Sequence, residues 1–309
     1  MNNNDIYDVV IIGSGPSGLA AAIYAQRAKL NTITIEKQYM SGGQVLNTYE
    51  VDNYPGLPEI NGFDMGQKFR QHAEKLGAKF IKDEVLELNI MDKIKKVHCK
   101  NNEFLTKTVI IATGAQHRLL EVKGEQELYG KGVSYCATCD GAFYKEKTVA
   151  VVGGGDVALE DAIFLSRLCK KVYLIHRRDE FRGVKILQEK VFSIDNIEVI
   201  WDTVVDEICG ENEVTSINVS NVKTKDNKTL DVDGVFVAIG IIPNSHIFEK
   251  HLKLDEANYI IANEDCKTSV DGVFVAGDVR TKALRQIVTA VSDGANAITS
   301  IEKYLATKF

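Results

Sequence analysis

The chain has 309 residues, which is too long for one ordinary hydrophobic core and predicts two domains. A hydrophobic content of 45% is typical of a soluble globular protein and excludes a largely disordered chain. A net charge of −6, without a long run of Lys and Arg, argues against general nucleic-acid binding, so we expect no nucleic-acid partner.

The N-terminal segment is polar and lacks the positively charged start of a secretory signal. Residues 1–5 are Met-Asn-Asn-Asn-Asp, and the first apolar run, residues 9–12, is far too short for a signal peptide or a membrane span. We therefore expect a cytoplasmic protein without a membrane partner.

The first unit predicted along the chain is a βαβ unit. A β-branched run at residues 8–12 leads into Gly-Ser-Gly-Pro-Ser-Gly at residues 13–18. A small-residue helical pattern and a second strand at residues 32–35 follow. This order is the opening of a dinucleotide-binding fold.

The glycine spacing of this turn has a physical purpose. Gly13 permits the tight bend, Gly15 lets the backbone approach a pyrophosphate, and Gly18 lets the helix pack on the strand. The phosphate then meets the free N–H groups of the helix. Glu36, at the end of the second strand, can accept hydrogen bonds from both ribose hydroxyls, which suits FAD or NAD. An incidental glycine-rich turn is the alternative interpretation.

A C-x-x-C motif comes next, with Cys136 and Cys139 followed by Asp140. No other two cysteines are close in sequence, and in a cytosolic enzyme such a pair indicates redox or metal chemistry. The remaining cysteines are interpreted as small apolar core side chains. They are Cys99, Cys169, Cys209 and Cys266.

Redox chemistry fits this pair better than zinc. A structural zinc ion needs four ligands, and the sequence has no second C-x-x-C or Cys/His pair. A disulfide across two residues closes a small ring, gains little from loop entropy and is easily reduced. A thiolate in such a motif has a lowered pKa. Asp140 can move a proton to or from a sulfur, although it would also be an ordinary turn residue.

A second copy of the βαβ unit follows the cysteines. Residues 148–152 form an apolar run, residues 153–158 are Gly-Gly-Gly-Asp-Val-Ala, and a second strand is predicted at residues 172–175. Ala158 replaces the third glycine and still allows close packing. Two dinucleotide folds on one chain are the natural interpretation.

The residue types at the second strand end differ between the two copies. Counted from the first glycine, His176 occupies the place of Glu36, and Arg177, Arg178 and, one turn on, Arg182 follow it. Guanidinium groups bind phosphate oxygens through paired hydrogen bonds, so this site should prefer the 2′-phosphate of NADPH. A solvated basic loop is the alternative.

Later apolar runs that lead into glycine-containing turns predict how the two copies are joined. These runs are residues 108–112, 234–239 and 272–276. The first and last complete one nucleotide domain, and the middle one closes the other. We therefore predict an α/β protein with two Rossmann-like, three-layer domains: an FAD-binding domain at residues 1–115 plus 246–309, and an inserted NADPH-binding domain at residues 116–245.

Asp278 favours FAD over NAD in the first domain. It follows Gly277 at the end of an apolar run, so its carboxylate can meet a ribityl hydroxyl of FAD. The helix expected from residues 285–287 onward can present N–H groups to the isoalloxazine ring. A simple helix cap is the other interpretation of Asp278.

Taken in order, these motifs closely resemble those of the low-molecular-weight, bacterial-type thioredoxin reductases over essentially the whole chain. The resemblance is carried by residues 13–18, 42–44, 53–56, 112–115, 136–140, 153–158, 176–182, 240–244, 277–279 and 285–286. Departures are small: Val157 stands where relatives often have Ser or Thr, and Ala142 where many have Phe.

The resemblance implies a homodimer that uses FAD and NADPH, binds no metal and reduces oxidised thioredoxin. It implies that Cys139 faces the flavin, that Cys136 attacks thioredoxin and that Asp140 is the acid/base. It also implies that the domain carrying the disulfide rotates, so that either the nicotinamide or the disulfide meets the flavin.

Motif and resemblance together give the expected cofactor-binding residues. Those expected at FAD are Gly13, Ser14, Gly15, Pro16, Ser17, Gly18, Glu36, Lys37, Gly42, Gly43, Gln44, Asn53, Val85, Ala112, Thr113, Gly114, Gly277, Asp278, Arg285, Gln286 and Ile287. Those expected at NADPH are Gly153, Gly155, Asp156, Ala158, His176, Arg177, Arg178, Arg182, Ile239 and Gly240.

Other functions remain open from the sequence. A related flavoprotein could reduce another thioredoxin-like or small disulfide substrate, take electrons from ferredoxin, or oxidise small dithiols with oxygen. Relatives of the last two kinds lack the second glycine turn and its arginines, which are intact here. A nucleotide-binding redox sensor without turnover is the most distant alternative.

Overall fold

The computed structural model describes residues 6–48 and 50–309, and the chain separates into two compact units. Unit 1 comprises the described residues up to Gln116 together with Ile242–Phe309. Unit 2 comprises His117–Ile241 and is inserted into the sequence of unit 1. Residues 1–5, on which the expectation of a missing signal peptide partly rests, lie outside the described residues.

Both units contain strands and helices. The strands are β1 Ile6–Ile12, β2 Thr32–Glu36, β3 Phe80–Lys82, β4 Val85–Asn89, β5 Lys95–Cys99, β6 Glu103–Ile111, β7 Ala115–His117, β8 Val133–Ser134, β9 Thr148–Val152, β10 Lys171–Ile175, β11 Ile197–Ile200, β12 Thr203–Cys209, β13 Ser216–Asn221, β14 Asn227–Asp231, β15 Gly234–Val237, β16 Ile241–Pro243 and β17 Val273–Val275. The α-helices are α1 Pro16–Arg27, α2 Gly62–Lys75, α3 Ala137–Asp140, α4 Asp156–Leu165, α5 Lys185–Phe192 and α6 Ile287–Lys308. Short 3₁₀ helices occupy Gly43–Asn47, Gly141–Tyr144 and His246–Phe248.

Unit 1 is built on a sheet with the order β3-β2-β1-β6-β5-β4, and β17 pairs with β6. The pairs of β1 with β2 and β6, and of β6 with β17, are parallel, whereas β4 and β5 form an antiparallel edge. Successive residues of β1 enter different apolar clusters, with Val10 and Ile12 in one and Val9 and Ile11 in the other. Both faces of the sheet are therefore covered, which explains the continuous apolar run.

The start of helix α1 is explained by Pro16 and the glycine before it. Pro16 occupies the first turn, where its missing N–H costs nothing, and Gly15 precedes it in an extended conformation. The small residues that follow allow a close approach to α6: a Cβ on Gly294 would overlap the carbonyl oxygen of Ser17. This packing fixes the glycine turn against the carboxyl ends of the central strands.

Unit 2 has a five-stranded sheet with the order β11-β10-β9-β15-β8, in which every pair is parallel. A three-stranded antiparallel sheet, β12-β13-β14, lies in the same unit. The central strand β9 again divides between two apolar clusters, with Ala150 and Val152 in one and Val149 and Val151 in the other. Parallel sheets with helices between their strands confirm the predicted α/β class.

Two chain crossings join the units, and they run beside each other. The short strands β7 and β16 lie at these crossings and form a two-stranded sheet. Within residues 6–48 and 50–309, no helix has the length and apolar composition needed to cross a membrane.

Candidate active site

The first glycine turn connects β1 to α1. Gly13 has a φ of 101°, and a Cβ there would overlap the carbonyl oxygen of Ala112, just after β6. A Cβ on Gly18 would overlap the carbonyl oxygen of Gly13, so α1 approaches the turn closely. Gly15 instead faces open space, because no atom comes within 4 Å of the position of a Cβ. This opening at the helix N-terminus is where a pyrophosphate would approach.

Glu36 ends β2 beside this turn, and its carboxylate is directed at the turn. One oxygen accepts hydrogen bonds from the Ser14 N–H at 2.8 Å and the Ser14 hydroxyl at 2.7 Å. The other oxygen accepts from the Gln38 N–H at 2.8 Å. Lys37 forms an exposed ion pair with Glu84 at 2.8 Å. The Glu36 carboxylate is therefore at the glycine turn, and its contact with ribose hydroxyls stays a prediction.

A second glycine-containing loop, at residues 42–44, lies against the first. The Gly42 N–H donates to the carbonyl oxygen of Ser14 at 2.8 Å, and a Cβ on Gly43 would lie within van der Waals reach of the first turn. The side-chain amide of Gln44 donates to the carbonyl oxygen of Ala115. Three predicted segments of the FAD site are thus brought together in unit 1.

Thr113, Gly114 and Val85 are part of the framework around these segments. The Thr113 hydroxyl donates to the carbonyl oxygen of Asn244 at 2.7 Å, and the Asn244 side-chain amide donates to the Thr113 carbonyl at 2.9 Å. The Asn244 N–H donates to the Gly114 carbonyl at 3.0 Å. Val85, at the start of β4, packs against the core of unit 1. The Thr113 hydroxyl therefore donates its hydrogen bond to another group of the protein.

The last part of the predicted FAD site follows β17. A Cβ on Gly277 would lie 2.6 Å from the Ser17 hydroxyl oxygen, so this strand end meets the start of α1. One carboxylate oxygen of Asp278, Oδ1, is buried without a hydrogen-bond partner among the described residues, and burial raises the pKa of this carboxyl. An unpaired buried polar atom is costly, and a donor on a bound ligand would relieve it.

The start of α6 adds the remaining residues expected at FAD. Asn53 donates its side-chain amide to Oε1 of Gln286 at 2.9 Å, and Gln286 caps α6, which begins at Ile287. The guanidinium of Arg285 lies 3.9 Å from the centre of the Tyr259 ring, and its buried Nε has no partner within the part of the chain that the structure describes. These side chains place the free N–H groups of α6 next to the predicted ligand site.

A buried charged cluster behind Gly277 was not predicted from the sequence. Asp293 on α6 accepts hydrogen bonds from Arg280 at 2.7 and 2.9 Å, from Lys282 at 2.8 Å and from the Gly277 N–H at 2.9 Å. The side chains of Arg280, Lys282 and Asp293 are 3%, 6% and 2% exposed. The sequence did contain a signal for this cluster: Asp293 stands among small residues on one face of α6. A carboxylate that is buried there requires a charged or hydrogen-bonding partner.

The second glycine turn, between β9 and α4, repeats the geometry of the first. A Cβ on Gly153 would overlap the carbonyl oxygen of Ala238, and Gly155 again faces open space. The arginine loop is fastened to this turn, because the Arg182 N–H donates to the Gly154 carbonyl at 2.8 Å. Nearby, the Asp156 carboxylate accepts the Val184 N–H at 2.7 Å, and Ala158 is buried under the turn.

The cationic residues of this loop differ in exposure. Arg177, Arg178 and Arg182 are exposed, whereas His176 is 5% exposed and its ring lies against Gly154. Burial lowers the pKa of His176, and the three neighbouring arginines lower it further. His176 is consequently neutral at physiological pH, and the positive charge of the loop comes from the arginines.

Ile239 and Gly240 lie at the carboxyl end of β15, in the same unit. Ile239 packs against the apolar core, and Gly240 has a φ of 121°. Its carbonyl oxygen accepts the Arg118 N–H at 2.9 Å, and Arg118 itself is exposed. The sequence prediction included Gly240 but missed this neighbouring cation.

Cys136 and Cys139 form a disulfide in unit 2, with their Cα atoms 5.3 Å apart. Cys136 precedes the one-turn helix α3, and the N–H groups of Cys139 and Asp140 donate to its carbonyl oxygen at 3.2 and 3.1 Å. Both cysteines are partly exposed. The pair is therefore joined, held by a short helix and accessible from solvent.

Ser134, which the sequence analysis did not select, connects the ends of this motif. It is 3% exposed, and its hydroxyl accepts the Cys136 N–H at 3.1 Å and donates to Oδ2 of Asp140 at 2.5 Å. Burial raises the pKa of Asp140, and the hydrogen bond from Ser134 partly opposes this shift. No sequence signal separates this serine from an ordinary strand residue.

Within the described residues, no group of three or more His, Cys, Asp and Glu side chains is arranged to hold a metal ion. Of the two chemistries considered for the C-x-x-C motif, the structure contains the disulfide.

Comparison with known proteins places this geometry in one family. The profile of the pyridine nucleotide-disulphide oxidoreductases matches residues 7–294. Thioredoxin reductases of Peptoclostridium acidaminophilum and Bacillus subtilis (strain 168) are 46% and 43% identical, covering 99% of this chain and 99% and 96% of theirs. The crystal structure of the Streptococcus pyogenes MGAS5005 thioredoxin reductase matches with a TM-score of 0.94 and 43% identity, covering 98% of this chain and 99% of the other. The thioredoxin reductase structure from Giardia duodenalis matches with a TM-score of 0.92 and 38% identity, covering 98% and 100%.

Proposed function

The chain belongs to the pyridine nucleotide-disulphide oxidoreductase family and, within it, to the thioredoxin reductases, and we propose that it transfers electrons from NADPH through FAD and the Cys136–Cys139 disulfide to oxidised thioredoxin. The observation that carries this proposal is the disulfide itself, which shares unit 2 with the second glycine turn and its arginines. The inserted unit thus carries the disulfide that would accept the electrons together with the turn that we propose binds their donor.

The residues of unit 1 fit FAD. The open side of Gly15 provides room for a pyrophosphate, and Asp278 has a buried carboxylate oxygen that lacks a donor among the described residues. The first turn of α6, after Gln286, offers free N–H groups that can donate to a flavin ring. FAD, when bound, accepts two electrons from a nicotinamide and passes them to a disulfide.

The residues of unit 2 fit NADPH. Gly155 leaves the second turn open to a pyrophosphate, and Arg177, Arg178 and Arg182 extend into solvent beside it. A 2′-phosphate on the ribose would meet guanidinium groups here, whereas at the first turn it would meet the Glu36 carboxylate. The charge difference between the two turns supports NADPH binding by unit 2 rather than unit 1.

The chain's own groups carry out the disulfide exchange. In the reduced protein, Cys136 gives its proton to Asp140, and the Cys136 thiolate attacks one sulfur of the thioredoxin disulfide. That bond breaks, and Asp140 returns the proton to the departing sulfur. Cys139 then attacks the Cys136 sulfur, the second thioredoxin sulfur leaves with the proton of Cys139, and the Cys136–Cys139 disulfide is restored.

We also propose that the protein is a cytoplasmic homodimer whose partner is thioredoxin, and that neither nucleic acid nor a membrane is a partner. The net charge of −6 supports the absence of a nucleic-acid partner, and the relatives named above support thioredoxin as the partner.

An NADPH-dependent assay tests the proposed function. We expect NADPH to bleach the flavin rapidly and several thioredoxins to re-oxidise it, whereas reduced ferredoxin should not replace NADPH. Flavin bleaching without reduction of any thioredoxin would instead favour another disulfide substrate, and reduction by ferredoxin alone would contradict the assignment of NADPH.

The Arg177→Ala substitution should weaken NADPH far more than NADH. A hydrogen bond between charged groups contributes about 1.5–3 kcal/mol, so we expect the KM for NADPH to rise about 10- to 100-fold. NADH lacks the 2′-phosphate and should lose little. Steady-state KM values for both nucleotides, with thioredoxin in excess, measure the difference.

The matched control for this substitution is Arg167→Ala. Arg167 is also an exposed arginine of unit 2, but it lies beyond the end of α4 and outside the arginine loop. It should leave both KM values unchanged. Equal losses for NADPH and NADH in the Arg177 variant would contradict a 2′-phosphate site.

A further inference from the structure

Ser134 contacts both parts of the reactive motif. Its strand, β8, pairs in parallel with β15 of the five-stranded sheet, with Ser134 opposite Phe236. The side chain is almost completely buried, so its hydroxyl has a fixed position. From this position it accepts the N–H of Cys136 and donates to Oδ2 of Asp140. The sheet thereby holds the attacking sulfur's backbone and the proposed acid/base through one side chain.

The hydroxyl also has a second acceptor within reach. Its oxygen lies 3.4 Å from the carbonyl oxygen of Cys136, compared with 2.5 Å from Oδ2 of Asp140. When Asp140 is a carboxylate, the hydroxyl donates to it. When Asp140 is protonated, its own O–H can donate to the Ser134 oxygen, and the serine proton can turn toward the Cys136 carbonyl. The hydroxyl has a partner in either protonation state.

We propose that Ser134 is a positioning residue for the proton transfer of Asp140, holding the carboxyl group beside the cysteines in both its charged and its neutral form. This inference rests on the proposed function, because the role of Asp140 is part of it. Without the serine hydroxyl, the half-buried carboxylate of Asp140 would lose a donor and its charged form would be less stable.

The titration of Asp140 must be distinguished from the titration of other groups near it. Tyr129 and Tyr144 have raised pKa values, caused first by their burial and then by the charge of Asp140, and both stay neutral near pH 7. Helix α4, which packs against α3, carries the exposed Glu160 and the half-buried Asp161. Burial and the charge of Glu160 raise the pKa of Asp161 to about 7, so Asp161 titrates in the range of interest.

The expected effect of Ser134→Ala is a change in the pH profile of thioredoxin reduction. The charged form of Asp140 must accept the Cys136 proton, so activity falls as pH drops through the Asp140 pKa. Removing a hydrogen bond that favours the charged form raises this pKa and moves the acid limb to higher pH. At the acid end, the rate should fall by about tenfold, with little change on the alkaline side. The profile of the holoenzyme with thioredoxin measures this shift.

Two further variants isolate the hydroxyl from packing. Thr and Val have nearly the same shape and suit a strand, but only Thr retains the hydroxyl. Ser134→Thr should keep the native acid limb, and Ser134→Val should move it as Ser134→Ala does. Asp161→Asn should leave the shift caused by Ser134→Ala intact. An acid limb that is the same in the Thr and Val variants would overturn the proposal.

A direct titration measures the pKa of Asp140 without relying on catalytic activity. The carboxyl ¹³C signal of Asp140, identified by its loss in Asp140→Asn, should titrate at higher pH in Ser134→Val than in Ser134→Thr. Equal midpoints would overturn the inference even if thioredoxin is reduced. Failure of the native protein to reduce any thioredoxin would refute the proposed function but leave this titration valid.

Discussion

In the Cys136→Ser variant, we expect NADPH to reduce the flavin at close to the native rate, while thioredoxin reduction falls to the assay background. A serine hydroxyl does not ionise near neutral pH and cannot form a mixed disulfide with thioredoxin. The flavin and nucleotide sites that we propose do not include this sulfur, so the first half of the reaction should remain. Anaerobic mixing with NADPH, followed by addition of thioredoxin, measures the two halves separately.

Cys209→Ser is the matched control for this substitution. Cys209 is a partly exposed free cysteine of unit 2, at the end of β12 and outside the reactive motif. It should leave both half-reactions unchanged. Thioredoxin turnover that persists in the Cys136 variant would refute the proposed exchange, whereas loss of flavin reduction would place Cys136 at the flavin site instead.

The fold could be predicted from the sequence wherever the controlling interaction is local. Gly13 and Gly153 are required because each turn brings the strand end against the carbonyl oxygen of Ala112 or Ala238. Glycine is the residue that satisfies such a contact, so the spacing of these glycines was sufficient to predict two βαβ units. The α/β class and the family follow from the same local signals, and both are confirmed.

Burial could not be predicted in the same way, and it changes the chemistry of His176. The sequence places His176 among arginines and suggests a further cation. In the folded protein its ring lies 5.6 Å from the ring of Phe181 and 6.2 Å from that of Trp201, and burial lowers its pKa. Trp201 comes from a later strand end, so this environment depends on tertiary packing that no local pattern records.

Hydrogen-bond partners that depend on the folded backbone were also beyond prediction. Ser134 meets Asp140 because β8 ends at the edge of the five-stranded sheet of unit 2, just before α3. The Glu36 carboxylate, chosen for a ribose, is hydrogen-bonded to Ser14 within the protein. Both contacts depend on the folded backbone. The type of a residue determines whether its side chain can donate or accept a hydrogen bond, but the fold determines which partner lies within reach.

The Asp293→Ala substitution should destabilise the protein by about 3–5 kcal/mol, because it removes the ion pair of the buried Lys282 and leaves the buried Arg280 with the exposed Glu264, at 3.3 Å, in place of a buried partner. The Gly277 N–H also loses its acceptor, so the turn before Asp278 loses a support. We therefore expect weaker flavin retention together with the loss of stability. Urea unfolding of the holoprotein, followed by circular dichroism and by flavin fluorescence, measures both effects.

The control is Asp265→Ala, which removes an exposed ion pair with Lys267 at 3.2 Å and should cost about 1 kcal/mol of stability or less.

The pH dependence of stability gives a second check on the role of the Asp293 charge. Burial opposes the charge on Asp293, but hydrogen bonds from Arg280 and Lys282 outweigh it and lower the pKa of Asp293. A lowered folded-state pKa means that the stabilisation is complete above the unfolded-state value of about 3.9 and is lost as pH falls through the folded-state value. The stability difference between native and Asp293→Ala proteins should therefore be largest near neutral pH and narrow in acid. A difference that stays constant into strong acid would show that packing, rather than the charge of Asp293, holds this part of unit 1 together.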